Sequence, residues 1–387
     1  MKIGFLTSEY PHPLTGNSGG IGTSIKGLAE GLIEKGHQVR VLVYGQDKDE
    51  LFEQGNGLVI QRINNVKLKG LSWYLTRKKI EKLINSLYSQ NLLDIVEAPD
   101  WTGITSFIQP EQCPVIIRLH GSDTYFCHLD NRRVKFINQF HEKRALEKAD
   151  GHLSVSKFTA DLTNELFQIS KDFTVIPNGI TLQKFKTDAL VEQNEKIILY
   201  FGTLIRKKGL LELPLIFNKI VEVLPDVKLH LVGRDASDII TGNSSTWKMM
   251  QDLFTPKALK NVIYFGGVPY DEVHNHIQKA AICVFPTFAE ALPVSWLEAM
   301  AMRKAIVASN IGWAKEIIEN KAEGFLIHPS NHQEYADAVV NLLKDENLRK
   351  NVGHNAYQKA VEVFESGKIV DKNISFYEKI IKRNERV

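Results

Sequence analysis

Glu290 and Glu298 stand eight positions apart, with an apolar run, Ala281 to Thr287, just ahead of the first. Run that way, the chain places Glu290 in the loop that leaves a buried strand, where parallel sheets present their functional groups. Glu298 falls about two turns into the following helix, on a side that can face the strand ends. Backbone N–H groups at the start of such a helix bind phosphate, aided by the positive end of its dipole. A carboxylate accepts hydrogen bonds from two neighbouring hydroxyls, so the pair suits a sugar joined to a phosphate. The plainer alternative is a helix-start carboxylate followed by a solvated one.

Three further stretches carry residue types fit for chemistry. The segment Ile197 to Gly209 contains Gly202, Thr203, Arg206, Lys207 and Lys208. It sets cations beside a strand end, where they would neutralise a departing diphosphate without a metal. A solvated basic helix start is the other reading. The stretch Pro13 to Gly22, with Gly19 and Gly20, follows the first apolar run. Glycines there let backbone come close to a ligand at a helix start, although a tight turn alone would also need them. The run Val115 to Leu119 ends in His120, followed by Gly121, Ser122 and Asp123.

These residues need parallel sheets to position them. Short Val- and Ile-rich runs alternate with helical patterns in both halves, the signature of βαβ units. The first series lies near Ile3–Thr7, Val39–Tyr44, Ile95–Glu97, Val115–His120, Leu153–Ser156 and Thr174–Ile176. The second lies near Ile197–Phe201, Lys228–Val232, Val262–Phe265, Ile282–Phe285, Ala305–Ala308 and Phe325–Ile327. The polar stretch Thr187 to Lys196 separates them. The expected architecture is α/β: two doubly wound Rossmann-like domains, 1–187 and 188–365, facing across a ligand cleft. A length of 387 residues suits two cores of this size.

The spacing Glu290-x7-Glu298, with the sequence that follows it to Gly312, resembles retaining glycosyltransferases of the GT-B fold, family 4 (group 1 glycosyl transferases). The resemblance runs over nearly the whole chain. It implies a C-terminal helix, 366–387, packed back on the first domain, an acceptor site in the first domain and a nucleotide-sugar donor site in the second. Glu298 would hold the ribose hydroxyls and Glu290 the hexose, with Leu292, Val294 and Ser295 touching sugar and phosphate. Gly19 and Gly20 resemble the family's loop near the diphosphate, and His120 its contact to the transferred sugar. Glu97, Asp100 and Trp101 resemble a segment near the acceptor. The base is expected over Gly233, Arg234, Tyr264 and Val268, and the turn Val175 to Ile180 resembles one of structural role. Two departures stand out. Lys208 matches the family's lysine but Thr203 occupies its usual arginine position, so Arg206 is expected to take over that arginine's work and, with Lys208, to stabilise the leaving charge. Ala291-Leu292-Pro293 replaces the usual Gly-Phe-Gly, and Pro293 has no N–H to offer.

The reading is therefore a hexosyltransferase acting with retention, with a UDP- or GDP-sugar as donor, a hydroxyl acceptor and no metal or other cofactor. Acceptor choice is expected in variable loops, 46–73 and 123–135. Two other readings stay open: a sugar-nucleotide epimerase of the same architecture, and a binding protein without turnover. A dinucleotide oxidoreductase fits less well, because the first β-to-α turn lacks the Gly-x-Gly-x-x-Gly spacing.

A net charge of +3 does not call for nucleic acid. No apolar run nears the roughly 18 residues of a membrane span, and the start Met1 to Leu6 enters a strand pattern directly. Cys113, Cys127 and Cys283 lack metal-ligand spacing, so a reducing, cytoplasmic setting is expected. From Arg62 to Lys148 cations exceed acids. On 73–88, Ile80, Leu83, Ile84 and Leu87 are read as one face, with Arg77, Lys78 and Lys82 opposite. Either the helix is solvated and packed on its own sheet, or this basic surface of the first domain makes peripheral contact with anionic lipid or acceptor.

Overall fold

The computed structural model describes residues 1–16, 18–185 and 196–384. The chain divides into two compact units: Met1–Gly179 with Ser366–Val387, and Ile180–Glu365. The boundary expected at residues 187 and 188 lies outside the described residues.

The first unit is built on β1 (Lys2–Thr7), β2 (Gln38–Gln46), β3 (Glu50–Glu53), β4 (Leu58–Asn64), β5 (Ile95–Pro99), β6 (Val115–Leu119), β7 (Gly151–Ser154) and β8 (Thr174–Val175). They form one sheet in the order β3-β4-β2-β1-β5-β6-β7-β8. All pairings are parallel except β3 with β4. Because side chains alternate along a strand, Ile3 and Phe5 face one layer and Leu6 the other. On the first face lie the helix Gly20–Glu34, through Ile25, Ala29 and Leu32, and the final helix Ser366–Asn384, through Ile369, Val370, Tyr377 and Ile380. The helix Ser72–Ser89 covers the other face through Ile80, Ile84 and Leu87. Each such buried Leu, Ile or Val side chain contributes roughly 1.5–3 kcal/mol.

Two expectations for this unit are corrected. The stretch 46–73, read as an acceptor loop, instead contains β3 and β4, an edge pair that extends the sheet. Likewise 123–135 includes a helix, Asp123–Leu129. Arg77 is not on a solvated face: it is buried, donating through Nε to the Ile104 carbonyl at 3.0 Å and through Nη1 to that of Trp73 at 3.1 Å. The spacing 77, 80, 84 places it on the apolar stripe. Lys78 and Lys79 pair with Glu81 and Asp49.

The second unit holds β9 (Ile197–Phe201), β10 (Lys228–Val232), β11 (Val262–Tyr264), β12 (Ile282–Phe285), β13 (Ala305–Ala308) and β14 (Phe325–Leu326). The order is β11-β10-β9-β12-β13-β14, parallel throughout. In both units the strand order reverses at one point, beside β1 and β5 in the first and beside β9 and β12 in the second. Ligands bind at the carboxyl ends of the strands flanking such a reversal.

Candidate functional site

The carboxyl ends of β9 and β12 bring Lys208 and Glu290 together. Lys208 Nζ lies 3.0 Å from Glu290 Oε1, with both side chains mostly buried. The turn bearing Lys208, a single 3-10 turn at Arg206–Lys208, is fixed to the end of β12: Phe288 N donates to the Lys207 carbonyl at 2.8 Å. Lys208, Glu290, Thr287 and Ser295 line one small cavity together with Tyr200, Phe201, Phe285 and Trp296. The Tyr200 hydroxyl donates to the Thr203 carbonyl at 3.0 Å, closing the floor.

Glycine is required where β9 and β10 end. Gly202 and Gly233 have φ of 137° and 145°, and a Cβ on Gly233 would lie 1.9 Å from the Gly202 carbonyl oxygen. The strand ends are thereby bare of side chains. Tyr264 donates its hydroxyl to the Gly233 carbonyl at 3.0 Å, and its ring packs on Trp247 with centroids 5.0 Å apart. The exposed Arg234 lies across Gly267, just before the half-buried Val268.

Glu298 is buried in the helix Val294–Ala301, and its Oε1 accepts the Tyr270 hydroxyl at 2.6 Å. No cation lies within ion-pair distance of it among the described residues. Burial pushes its carboxyl up to about 7, with Tyr270 and Lys208 acting the other way. A group that costs this much to ionise, placed at a strand-end site, is a mark of function. The same helix has no capping side chain and no acid in its first turn. Leu292 is buried behind it, while Val294 and Ser295 at its start are half-buried. This helix start is thus left without a capping side chain, while the Trp296 N–H donates to the Pro293 carbonyl at 3.2 Å.

Arg206 is differently placed from Lys208. Its guanidinium forms a two-pronged pair with Asp238 at 2.8 Å on both arms. Asp238 also accepts from the Thr241 backbone and hydroxyl, and these donors hold its carboxyl well below the usual range. The expected sharing of work between Arg206 and Lys208 thus meets a bound Arg206 and a Lys208 set against Glu290.

In the first unit, Glu97 is locked. Its oxygens accept Arg118 Nε at 2.7 Å, Arg118 Nη2 at 2.9 Å and the Tyr377 hydroxyl at 2.7 Å, and Arg118 also reaches Asn373. Glu97 is a member of a buried network joining β5, β6 and the final helix, and it also lines a cavity with His120. Asp100 sits at the end of β5, buried, its Oδ1 accepting the His120 N–H at 2.9 Å while Oδ2 has no hydrogen-bond partner among the described residues. Burial raises its carboxyl to about 7. His120 is held at the end of β6 by that bond, and burial beside Arg118 lowers its pKa to about 3, so it is a neutral imidazole. Trp101 is half-buried and packs on Phe126 with centroids 6.4 Å apart. The next residues, Thr102 and Gly103, adopt left-handed backbone at φ of 54° and 58°.

Gly19 and Gly20 are exposed at the start of their helix. There the Gly22 N–H donates to Glu9 Oε1 at 2.9 Å. An internal carboxylate thus accepts one of the N–H groups at this helix start. Sequence reasoning missed this Glu9 cap, and it missed Tyr270 and Trp247. Glu9 and Tyr270 act on positions 13 and 28 residues away, and no local pattern announces such contacts. Among the described residues no group of His, Cys, Asp and Glu is arranged to hold a metal ion.

Two adjoining stretches match known families, residues 18–184 the one described as Glycosyltransferase Family 4 and residues 183–359 the one described as Glycosyl transferases group 1. The chain belongs to the family 4, group 1 glycosyltransferases. It is a transferase with the GT-B fold. An uncharacterized glycosyltransferase of Methanocaldococcus jannaschii is 26% identical, over 97% of this chain and 98% of its own. Among solved structures, sucrose-phosphate synthase of Thermosynechococcus elongatus superposes with a TM-score of 0.80 at 18% identity, covering 99% of this chain and 100% of that one. Anabaena HepE, solved with UDP and glucose, gives 0.74 at 20% identity, covering 98% and 99%. At these identities the likeness shows the shared fold.

Proposed function

We propose that the protein moves a hexose from a nucleoside diphosphate sugar, a UDP-sugar in the first instance, to an acceptor hydroxyl in glycoconjugate synthesis, with retention at the anomeric carbon. The observation that carries this is Glu298: a buried carboxylate with no paired cation, beside an uncapped helix start and a lysine. Two ribose hydroxyls would donate to Glu298 and the diphosphate would accept from the helix N–H groups. The Trp247–Tyr264 ring pair, tilted at 39°, and the side-chain-free ends at Gly202 and Gly233 suit a base. The presence of UDP and glucose in HepE favours uridine.

In this reading the bond from the anomeric carbon to the diphosphate oxygen breaks, and the acceptor oxygen bonds to the same face. The acceptor proton passes to the departing phosphate oxygen. Lys208 stabilises the charge that develops there, supplying the electrostatic effect that other transferases draw from a metal. Glu290, oriented by Lys208, accepts from the hexose hydroxyls and is not a nucleophile. His120, neutral, can accept or donate one hydrogen bond to the sugar, and Asp100 fixes its backbone. Trp101 offers a ring to an acceptor.

Calorimetry tests the donor site: UDP, GDP and ADP are titrated into wild type and Glu298→Gln, with and without magnesium. Selective binding of one nucleotide that is weakened in the variant and indifferent to magnesium supports the proposal. Proton NMR of the product then reports the anomeric configuration. Turnover of the donor to an epimer without acceptor would replace the transfer step, and binding of none of the three would overturn the donor site.

A further inference from the structure

The first unit exposes large apolar side chains on two neighbouring elements. At the start of the helix Phe136–Lys148, Phe136 is 80% exposed and Ile137 53%, with Phe140 43% one turn on. The spacing i, i+1, i+4 puts the three on one face. Next to it, the turn that enters the helix Ser72–Ser89 exposes Leu68 and Leu71, and the helix itself exposes Trp73. The two elements touch through rings: Trp73 lies 5.1 Å from His141 and 5.5 Å from Phe107, and Phe140 lies 6.5 Å from Phe107. The two elements are thus neighbours through Trp73 and Phe140, which meet at Phe107 and His141.

The charge around them is mainly positive. Between Val66 and Trp73 and between Asn131 and Arg144 the chain has seven Lys or Arg and one acid, Glu142; just outside these stretches Asp130 pairs with Arg132 and Glu147 with Lys143. Glu142 is buried and turned inward, accepting from Thr102, Asp123 and Thr124. Lys67, Lys69, Arg133 and Lys135 are exposed and form no ion pair among the described residues. Arg144 instead lies 4.5 Å over the Phe107 ring and donates to the Ser106 carbonyl. His141, held at the hub by Ser106, has its pKa lowered to about 4 by burial and the nearby arginines and adds no charge. This surface is distinct from the basic face expected on residues 73–88, where Lys78 and Lys79 are paired and Arg77 is buried.

Exposed Phe, Trp and Ile at a helix start, ringed by unpaired Lys and Arg, are the makings of an interfacial anchor. The apolar side chains enter the headgroup layer while the cations meet lipid phosphates. A large exposed apolar patch marks a docking surface, and four exposed, unpaired cations with no exposed acid in the same two stretches select an anionic partner. We propose that this surface, formed by residues 66–73 and the start of the helix Phe136–Lys148, seats the protein on an anionic lipid bilayer. The contact does not depend on the donor-site reading and operates without sugar nucleotide.

The test is sedimentation of the full chain with vesicles of phosphatidylcholine alone and of phosphatidylcholine and phosphatidylglycerol in equal parts. Wild type is expected to partition onto the anionic vesicles only, with affinity that falls steeply as salt is raised. Phe136→Ser with Ile137→Ser is expected to lose tenfold or more of that partitioning, and Arg133→Ser with Lys135→Ser a similar factor at low salt. Both variants should keep the wild-type urea midpoint, since the altered groups face solvent. Three results would overturn the proposal: no partitioning, equal binding to both vesicle types, or equal binding by wild type and the variants. So would analytical ultracentrifugation showing wild-type self-association that the Phe136→Ser, Ile137→Ser variant loses, because the surface would then seat a second copy of the chain.

Discussion

Glu97 and Glu298 are both buried carboxylates, each near the carboxyl end of its sheet, and they face opposite circumstances. Glu97 is met by a bidentate guanidinium and a tyrosine hydroxyl, so three of its roughly four acceptor sites are filled within the protein. Glu298 receives a tyrosine hydroxyl and, among the described residues, no paired cation, and burial lifts its carboxyl to about 7. Burying a charge without a partner is costly. A fold keeps such a group where something other than folding makes use of it. The first carboxylate is thus read as structure and the second as a receptor for hydroxyl groups, and the difference is open to direct attack.

The largest effect should come from removing the partner of the structural one. Arg118→Met leaves Glu97 buried without its cation and strips hydrogen bonds from the Ile176 carbonyl and Asn373. A loss of about 3–5 kcal/mol is expected from urea unfolding. A loss under about 1 kcal/mol would show that the network does not hold the final helix in place.

Lys208→Met should act on catalysis instead. If Lys208 meets the departing phosphate, kcat falls about a hundredfold or more, in line with the ~2.7–4 kcal/mol that one charge-stabilising group supplies. Arg206→Met, by contrast, should leave Asp238 without its cation and show itself chiefly in stability. An equal fall in kcat for the two variants would restore Arg206 to the role expected of it from the sequence.

Glu298→Gln should weaken nucleotide binding by about 1.5–3 kcal/mol, the range for hydrogen bonds to a charged group. It should cost little stability, because a buried amide replaces a buried acid. This is the reverse of the Arg118→Met result, and a variant that both unfolds readily and binds normally would erase the comparison.

The same comparison explains what could be read from the sequence. Both sheets were legible because parallel strands buried on both faces read as Val- and Ile-rich runs. The edge pair β3–β4 was not, since Glu50–Glu53 alternates charged and apolar residues on an exposed edge. Glu290 and Glu298 were legible because loop and helix are contiguous, and local spacing fixes them. The fate of Glu97 was hidden, because its partners come from the adjacent strand and from Tyr377, 280 positions away. The burial of Arg77 followed from its place on the apolar stripe, and a basic residue on that stripe was read as solvated.

The pH dependence separates the two carboxylates further. The Glu298 carboxyl stands at about 7 in the folded state, against 4.5 when exposed. Between those values the folded chain holds a proton that the unfolded chain has released, so stability falls as pH rises through this window and levels off above it. The contribution is about 3 kcal/mol, at 1.36 kcal/mol per unit. Asp100, also raised to about 7, slopes the same way, so the decisive quantity is the difference between wild type and Glu298→Gln. That variant should show a shallower decline from pH 5 to 7 in urea titrations. Nucleotide affinity should rise with pH through about 7 in wild type beyond any rise in the variant, because ribose hydroxyls donate best to the ionised form.

The smallest expected effect is the most specific. The Tyr270 hydroxyl occupies one of the Glu298 oxygens that ribose would use, and it also favours the ionised carboxylate. Tyr270→Phe removes both influences, which act in opposite directions on binding. Near neutral pH the carboxyl midpoint moves up and affinity for the nucleotide drops. Well above that midpoint the carboxylate is ionised regardless, and ribose no longer displaces a hydroxyl. Affinity there should exceed wild type by the roughly 0.5–1.5 kcal/mol of one hydrogen bond. Calorimetry at pH 6.5 and 9 would therefore find the two affinity curves crossing. Parallel curves would mean that ribose does not compete with Tyr270 for Glu298, and that the receptor role belongs to some other acceptor.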